Sequence, residues 1–297
     1  MSTPGGGGDG GPWKQRGRRS AGKVADERSS KRPEGSPRPA PSHVPAPGES
    51  RPDRRAEQRL HGLNAIRAVF ASRPQAIRKL YLTGARIPDL QPLLKWCVAN
   101  RVGYRVVEDE AELVRLAGSG HHEGVVADVL RAAEPSLGDW LPTLADGPQC
   151  LLWLDGVGNP HNLGAILRSS AHFGVAAVLL PEGADLALSG AAARVAEGGA
   201  EALPLVRMGS AEASMEQLRS AGFSLAATVI EDGQDLFSTT LPQRLVYVIG
   251  AEGEGMDRGL ADACDLRISI PGTGAVESLN VAAATAVLLA AWSHPHP

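Results

Sequence analysis

Apolar and polar positions alternate with two different periods along residues 57–130. Leu60–Arg73 is predicted to be a helix, because apolar side chains recur there every three or four residues and Pro74 follows. Ile77–Thr83 alternates apolar and polar residues, which is typical of a half-buried strand. The next predicted elements are a helix over Ile87–Asn100, a strand over Val102–Val107, a helix over Asp109–Leu116 and a strand over Gly124–Val129. This order predicts a small α/β domain.

The alternation continues on a larger scale from Cys150. The run Cys150–Gly156 is continuously apolar before its final Asp and Gly, as expected of a strand buried on both faces. The later predicted elements are helices over Asn162–Phe173, Ser189–Glu197, Ser210–Ala221 and Leu279–Trp292, and strands over Val175–Pro181, Leu203–Val206, Phe223–Ile230, Arg244–Gly250 and Leu266–Pro271. Together they predict an open, largely parallel sheet whose ligands bind beyond the C-terminal ends of the strands.

Composition divides the 297 residues further. Residues 1–56 hold 10 glycines, 9 prolines and 12 lysines and arginines against 6 acidic residues, which predicts a disordered basic arm. Such an arm either attracts a polyanion such as RNA or only keeps the chain soluble. Residues 131–149 contain three prolines and two glycines and are predicted to be a linker. The predicted folded domains are therefore 57–130 and 150–297.

Several classes of protein are not expected. No run approaches the ~18 apolar residues of a membrane span, and the first residues lack the apolar core of a secretory signal. The cysteines Cys97, Cys150 and Cys264 are far apart and form no CxxC pair. We therefore expect no disulfide framework and no cysteine-built metal site, and we expect a reducing, cytoplasmic location.

The first of three glycine-containing loops follows the strand that begins at Cys150. Asn162 stands at the position of a helix N-cap, and Arg168 lies six residues further on, close to two helical turns. The two side chains are predicted to point to a similar side of the helix. Alone, either residue could be purely structural, Asn162 as a cap and Arg168 as a solvated helix residue.

The second and third loops follow later strands of the same sheet. Ile249–Met256 has the spacing G-x-x-G-x-G, which is neither a dinucleotide fingerprint nor a P-loop, with Glu252 between two glycines. In Ile268–Ala284, Ser278 and Asn280 flank the start of an apolar helix, either as caps or as site residues. Since parallel strands end at one edge of a sheet, the three loops are predicted to form one site.

These residues resemble a known family. The stretches NPHNLGAILRSSAHFGV, VIGAEGEGM and ISIPGTGAVESLNVAAA are similar, in order, to the three signature motifs of the SpoU/TrmH group of RNA 2′-O-ribose methyltransferases, within the SPOUT class. The stretches HGLNAIRAVF and HHEGVVADV are similar to the small substrate-binding domain of rRNA-modifying members. The resemblance implies a small N-terminal α/β RNA-binding domain and a C-terminal SPOUT domain, whose parallel sheet contains a deep trefoil knot.

The resemblance also implies a cofactor, a homodimer and a set of site residues. S-adenosylmethionine would be bound chiefly by backbone groups, at positions Ile249, Gly250, Glu252, Gly253, Ile270, Pro271, Ser278, Leu279 and Asn280. The catalytic positions would be Arg168, Asn162, Glu252, Ser278 and Asn280, with no metal. Glu277 departs from the family pattern, in which a small residue precedes the serine. Trp292 is expected at the interface of a homodimer.

The implied reaction is methylation of a ribose 2′-oxygen in structured RNA, with ribosomal RNA favoured over transfer RNA. A guanidinium stays protonated at pH 7, so we expect Arg168 to orient the nucleophile and stabilise its developing charge rather than to act as a base. Asn162 and Glu252 are expected to hold Arg168. The alternatives are a catalytically silent RNA-binding relative and an enzyme that methylates a base. A metal site at His121, His122 and Glu123 is disfavoured, because adjacent residues of a strand face opposite sides.

Overall fold

The computed structural model describes residues 57–184, 186–251 and 255–294. These residues belong to one compact unit, Ser50–Pro297. The predicted basic arm at 1–56 lies outside the described residues. Among the helices of the described part, none combines the length and the apolar character that crossing a bilayer requires.

The N-terminal part is built on a mixed sheet. Its four described strands have the spatial order β1–β4–β2–β3, with β3 parallel to β2 and the other pairs antiparallel. The strands are β1 Glu57–His61, β2 Ile77–Thr83, β3 Gly103–Val107 and β4 Val125–Leu130. The helices of this part are α1 Leu63–Ser72, α2 Gln91–Ala99 and α3 Glu110–Ala117. The α/β prediction for this part is confirmed.

The predicted helix over Leu60–Arg73 is wrong at its start. Residues up to His61 form β1, and α1 begins only at Leu63. Gly62 separates the two elements with a φ of +100°, and a Cβ at this position would lie 2.8 Å from Cγ of Arg194. A glycine is therefore required here by both backbone conformation and space.

The C-terminal part is built on a parallel sheet, as predicted. Seven strands within the described ranges have the order β7–β6–β5–β10–β8–β11–β9, and every pair is parallel. They are β5 Gln149–Leu154, β6 Ala177–Leu180, β7 Leu205–Arg207, β8 Ser224–Thr228, β9 Gln234–Asp235, β10 Arg244–Ile249 and β11 Leu266–Ser269. The two-residue strand β9 was not predicted from the sequence. The trefoil knot stays a prediction.

Six further helices are described in this part of the chain. They are α4 Leu137–Trp140, α5 Pro160–His172, α6 Gly190–Val195, α7 Ala211–Ser220, α8 Arg258–Ala263 and α9 Val281–Ser293. Helix α8 was not predicted. Helix α4 lies in the segment that was predicted to be a linker, and its Leu137 and Trp140 are buried in an apolar cluster with strands of the parallel sheet. This segment is therefore packed against the C-terminal part.

The two parts share one apolar cluster. It includes Leu60 of β1 and Ile66 of α1 together with Ala192 of α6 and Leu163 of α5. Helix α6 also packs closely on α5, because a Cβ at Gly164 would lie 2.5 Å from the backbone oxygen of Ala192. The N-terminal part thus rests on α6, and α6 rests on the helix that carries the first signature motif.

Polar contacts reinforce the joint between the N-terminal part and residues 189–202, which include α6. Arg73, which follows α1, donates from Nε and Nη2 to the Glu201 carboxylate at 2.6 and 2.7 Å, and from Nη1 to the Leu130 carbonyl. The Arg73 and Glu201 side chains are only 16% and 8% exposed. Asn64 of α1 donates to the Glu197 carboxylate. The joint therefore contains a largely buried ion pair with three hydrogen bonds from one guanidinium.

His61 lies at the same joint without a hydrogen-bond partner for either ring nitrogen among the described residues, and it is 3% exposed. Burial lowers its pKa from the usual value near 6.5, and the positive charge of Arg194 and the neighbouring rings of His122 and His121 add to this, against a smaller opposite effect of Glu123. The neutral ring is therefore favoured in the folded protein.

The folded protein is expected to lose stability when His61 must be protonated. Below the unfolded pKa of about 6.5 the unfolded chain binds more protons than the folded one, so the free energy of unfolding falls with falling pH until the folded pKa is reached. We expect the free energy of unfolding of His61→Leu to fall less between pH 7 and pH 5 than that of the wild type in urea titrations. The exposed His294, changed to Gln, is the control; an unaltered pH dependence in His61→Leu would contradict the assignment.

Candidate active site

The first loop lies between β5 and α5. The side chain of Asn159 caps α5 by accepting a hydrogen bond from the His161 N–H at 2.9 Å, and Pro160 is the first helical residue. The predicted cap at Asn162 is therefore wrong, and Asn162 lies in the first turn of the helix. Proline favours the first helical position, so the pair Asn159-Pro160 was the sequence signal for the true cap.

The second loop lies beside the first. The Asp155 N–H donates to the Ile249 carbonyl at 2.8 Å, which extends the pairing of β5 with β10. After β10, Ala251 and Gly255 exchange two backbone hydrogen bonds of 3.1 Å, so the chain turns back on itself. A Cβ at Gly250 would lie 2.7 Å from the Met256 nitrogen, which leaves room only for glycine. The predicted site residues Glu252 and Gly253 lie outside the described residues.

The third loop reaches the first through one hydrogen bond. Asn280 caps α9, since its Oδ1 accepts from the N–H groups of Ala282 and Ala283 at 3.0 and 3.4 Å. Its Nδ2 donates to Oδ1 of Asn162 at 3.1 Å. Asn280 thus acts both as a helix cap and as a link between the first and third motifs. Every residue over 271–280 is exposed, among them the predicted Pro271, Ser278 and Leu279, whereas Ile270 is half-buried.

A cavity of about 130 Å³ lies where these loops meet. It is lined by Gly156, Val157, Gly158, Asn159, Asn162, Ala251 and Val281. A Cβ at Gly156, whose φ is +81°, would lie 2.9 Å from the Ala251 Cβ, so the first two loops are in close contact. Three of the seven lining residues are glycine or alanine, and sequence reasoning missed all seven except Asn162 as members of the site.

Asp155 adds a carboxylate at the end of β5. Burial raises its pKa, the repulsion from Asp257 acts in the same direction, and a hydrogen bond from the Asp257 N–H opposes both. The side chain is half-buried. This loop therefore contains an acidic group that is more easily protonated than a solvated aspartate.

Arg168 lies on α5 and is exposed. No hydrogen bond or ion pair of its guanidinium is found with the part of the chain that the structure describes. Its backbone packs closely against Gly199, where a Cβ would lie 3.0 Å from the Arg168 Cα. At 3.6 residues per turn, six residues place Arg168 about 120° around the helix from Asn162, not on a similar side as predicted. Asn162 contacts Asn280 instead of holding Arg168.

The double role of Asn280 can be tested by two substitutions. Asn280→Ala removes the cap and the link to Asn162, and we expect the free energy of unfolding to fall by about 1–2 kcal/mol. Asn280→Ser keeps a capping oxygen, so its free energy of unfolding should fall less than that of Asn280→Ala. Urea denaturation gives both values, with Ser210→Ala at the N-cap of α7 as the control for loss of a cap alone. A serine variant as unstable as the alanine variant would contradict the capping role.

Comparisons with known proteins show which family has this fold and these three loops. The SpoU rRNA methylase family model matches residues 149–290, and the model for the substrate-binding domain of RNA 2′-O ribose methyltransferases matches 59–135. The chain belongs to the SpoU rRNA methylase family. The predicted family is thus confirmed.

Two individual proteins are similar to most of this chain. The chain is 41% identical over 242 residues to the uncharacterized tRNA/rRNA methyltransferase YfiF of Escherichia coli O157:H7, covering 82% of this chain and 69% of the relative. It is 35% identical to the 23S rRNA (guanosine-2′-O-)-methyltransferase RlmB of Pseudomonas syringae pv. tomato, covering 78% of this chain and 93% of the relative.

A solved structure of a SpoU methyltransferase has a similar fold. The SpoU methyltransferase AviRb of Streptomyces viridochromogenes, in complex with the cofactor AdoMet, has a TM-score of 0.67 and 25% identity, covering 82% of this chain and 91% of that chain. It agrees with both parts of the described fold.

Proposed function

We propose that this protein transfers a methyl group from S-adenosylmethionine to a ribose 2′-oxygen of ribosomal RNA. The observation that carries the proposal is the meeting of the first and third signature motifs in the Asn162–Asn280 hydrogen bond, beside a cavity lined by residues of all three loops. Relatives named as rRNA 2′-O-methyltransferases cover most of the chain, which supports the substrate class. We keep the predicted domains, 57–130 for substrate binding and 150–297 for methyl transfer.

The residues around the cavity fit S-adenosylmethionine in kind. Every residue over 271–280 is exposed, so backbone groups of the third motif are available to a ligand, and Gly250 packs closely against the backbone at Met256. We propose that Ile249, Gly250, Ile270, Pro271, Ser278, Leu279 and Asn280 hold the cofactor, with Glu252 and Gly253 from the loop between Ala251 and Gly255. A volume of about 130 Å³ is large enough for part of such a ligand. The AdoMet complex of AviRb supports this assignment.

The chemistry requires placement and charge stabilisation from the protein. When bound, S-adenosylmethionine would supply a methyl group on a positively charged sulfur, and after transfer of the methyl group to the 2′-oxygen the rest of the cofactor would leave as a neutral thioether. Arg168 orients the ribose through an adjacent phosphate and stabilises the negative charge that develops on the 2′-oxygen as its proton leaves to phosphate or water. Asn162, Asn280 and Ser278 shape the pocket for the methyl group, and Glu252 completes it.

We also propose that the active enzyme is a homodimer through its C-terminal part. Large apolar side chains are exposed in this part, among them Val276 at 70%, Leu279 at 47% and Phe237 at 66%. A second copy would cover part of this surface and could bring residues to the exposed Arg168. Trp292, predicted at the interface, is instead 4% exposed and donates from Nε1 to the Pro242 carbonyl, so it belongs to the core. Sedimentation analysis of the full chain tests the dimer; a monomer at all concentrations would refute it.

Nucleoside analysis tests the reaction and its target. Ribosomal and transfer RNA from a deletion strain are digested and compared with RNA from the parent strain by mass spectrometry. We expect one 2′-O-methylated nucleoside to disappear from rRNA and to return with the wild-type gene but not with Arg168→Lys. Loss from tRNA would move the substrate to tRNA. Loss of a base methylation would refute the ribose assignment, and no loss would favour a silent RNA-binding relative. We place the reaction in the cytoplasm, where its RNA substrate is found.

A further inference from the structure

A second and larger cleft lies away from the three signature loops. Its volume is about 690 Å³, and it is lined from the N-terminal part by the end of β2, the start of α3 and the loop before β4, and by Arg194 of α6. None of its lining residues belongs to the cavity at Asn162 and Asn280. The cleft therefore needs its own explanation.

His122 is the least exposed polar group in this cleft. Its side chain is 2% exposed, and Nδ1 accepts a hydrogen bond from the Gly124 N–H at 3.0 Å. In the neutral ring the proton must then lie on Nε2. Nε2 has no hydrogen-bond partner among the described residues, and the Glu110 carboxylate is 3.9 Å away. An unpaired buried donor is energetically unfavourable. A ligand that placed an acceptor atom beside Nε2 would therefore remove this cost on binding.

The charges around this donor are balanced. Arg86 and Arg194 contribute two positive charges, and Glu110 and Glu123 contribute two negative ones. Arg194 makes no hydrogen bond with its guanidinium in the described ranges and lies 3.9 Å from the Glu123 carboxylate. A site of this kind presents both donors and acceptors with no net charge. A phosphodiester carries only acceptors and a negative charge, whereas the edge of an unpaired nucleobase carries both donors and acceptors.

The loop that presents these groups is held in a fixed conformation. Glu123 has a φ of +54°, which is unusual for a residue with a side chain, and its carboxylate accepts from the Leu63 N–H at 2.9 Å. Arg86 donates from Nε to the Glu123 carbonyl at 2.7 Å. A Cβ at Gly124 would lie 2.9 Å from Oγ1 of Thr83. The site is therefore preorganised, and binding would require little ordering of this loop.

We propose that this cleft binds one unpaired nucleobase of the RNA substrate, distinct from the methylated nucleotide. His122 Nε2–H donates to a carbonyl oxygen or ring nitrogen of the base, and the Glu110 carboxylate accepts from an amino or ring N–H group. The exposed imidazole of His121 lies at the same cleft and can stack on the base. Because α6 carries Arg194 and packs on α5, the bound base fixes the RNA relative to the helix of Arg168.

The proposal rests on RNA as the substrate, so binding is measured separately from methyl transfer. His122→Asn keeps an acceptor for the Gly124 N–H but removes Nε2–H, and Glu110→Gln changes a side chain that is 78% exposed. We expect each to weaken the binding of protein-free 23S rRNA by about tenfold, with an unchanged slope of log Kd against log salt. S-adenosylmethionine affinity should not change. Matched controls are His294→Asn and Glu216→Gln, both exposed outside the cleft.

Two results would overturn the proposal. A salt slope that becomes shallower by about one unit would show a phosphate contact instead of a base contact. Unchanged rRNA affinity in Glu110→Gln and His122→Asn would show that water alone fills the cleft; if His122→Asn fails to fold, Glu110→Gln decides.

A probe without RNA separates this proposal from the enzymatic one. In the full chain labelled with 15N-histidine and saturated with S-adenosylhomocysteine, at least one of the four ribonucleosides should shift the His122 Nε2 resonance, and inorganic phosphate should not. A shift with phosphate only, or with none of the nucleosides, contradicts base binding. This readout is independent of whether the chain methylates RNA.

Discussion

Arg168→Lys is expected to lower kcat for methyl transfer to rRNA by about 10²–10³-fold. Lysine keeps the charge but replaces the planar fork of the guanidinium with a single ammonium, which cannot contact a phosphate and the 2′-oxygen in the same geometry. Since the Arg168 side chain is exposed and forms no hydrogen bond within the described residues, folding and S-adenosylmethionine affinity should stay unchanged. Single-turnover kinetics with saturating rRNA separate the chemical step from binding.

Arg131→Lys is the matched control, because Arg131 is also exposed and lies outside the candidate site. It should retain wild-type kcat. A near-normal kcat in Arg168→Lys would remove the case for a planar fork and would show that positive charge alone suffices at this position. An increase in KM with kcat unaltered would place Arg168 in RNA binding rather than in the reaction.

Arg73→Met is expected to lower the free energy of unfolding by about 3 kcal/mol. The substitution leaves the Glu201 carboxylate, which is 8% exposed, without its guanidinium partner, and it also removes the donor to the Leu130 carbonyl. Urea denaturation followed by tryptophan fluorescence measures the change. The unpaired Glu201 carboxylate causes most of the loss in the free energy of unfolding. Arg73→Met combined with Glu201→Leu should therefore recover a large share of the lost stability.

Arg267→Met provides the comparison for this prediction. Arg267 pairs with Asp262 at 3.2 Å, but the two side chains are 45% and 68% exposed, so the loss should be below about 1 kcal/mol. Equal losses in the Arg73 and Arg267 variants would mean that the joint between the two parts contributes no more than a surface ion pair. The Arg73–Glu201 pair would then not be what holds the N-terminal part on the residues around α6.

Patterns with a clear period predicted the fold well. Ile77–Thr83 was predicted with its observed bounds, because alternate positions such as Leu80 and Leu82 are apolar and pack into the core. The continuous apolar run after Cys150 correctly predicted a strand buried on both faces in a parallel sheet. Strand β1, with the sequence EQRLH, has no such period. It forms because β4 pairs with it, which is a tertiary contact that no local pattern contains.

The candidate site was predictable in its residue types and less so in its contacts. The sequence indicated that the first and third loops meet, and Asn162 and Asn280 are hydrogen-bonded. It did not identify Asn159 as the cap, although Pro160 was a signal for it. The small residues that line the cavity, such as Gly156 and Ala251, carry no chemistry that a motif search recognises. Their role follows only from how closely the two loops approach.

The joint on α6 has a consequence for how this protein can change during evolution. Ion-paired or hydrogen-bonded partners such as Arg73 with Glu201 and Asn64 with Glu197 are far apart in the chain but depend on each other. Recombination that exchanges only the N-terminal part with a homologue would separate these partners and leave the buried Glu201 carboxylate without its guanidinium. Chimaeras should therefore fold only when residues 189–202 are inherited together with the N-terminal part.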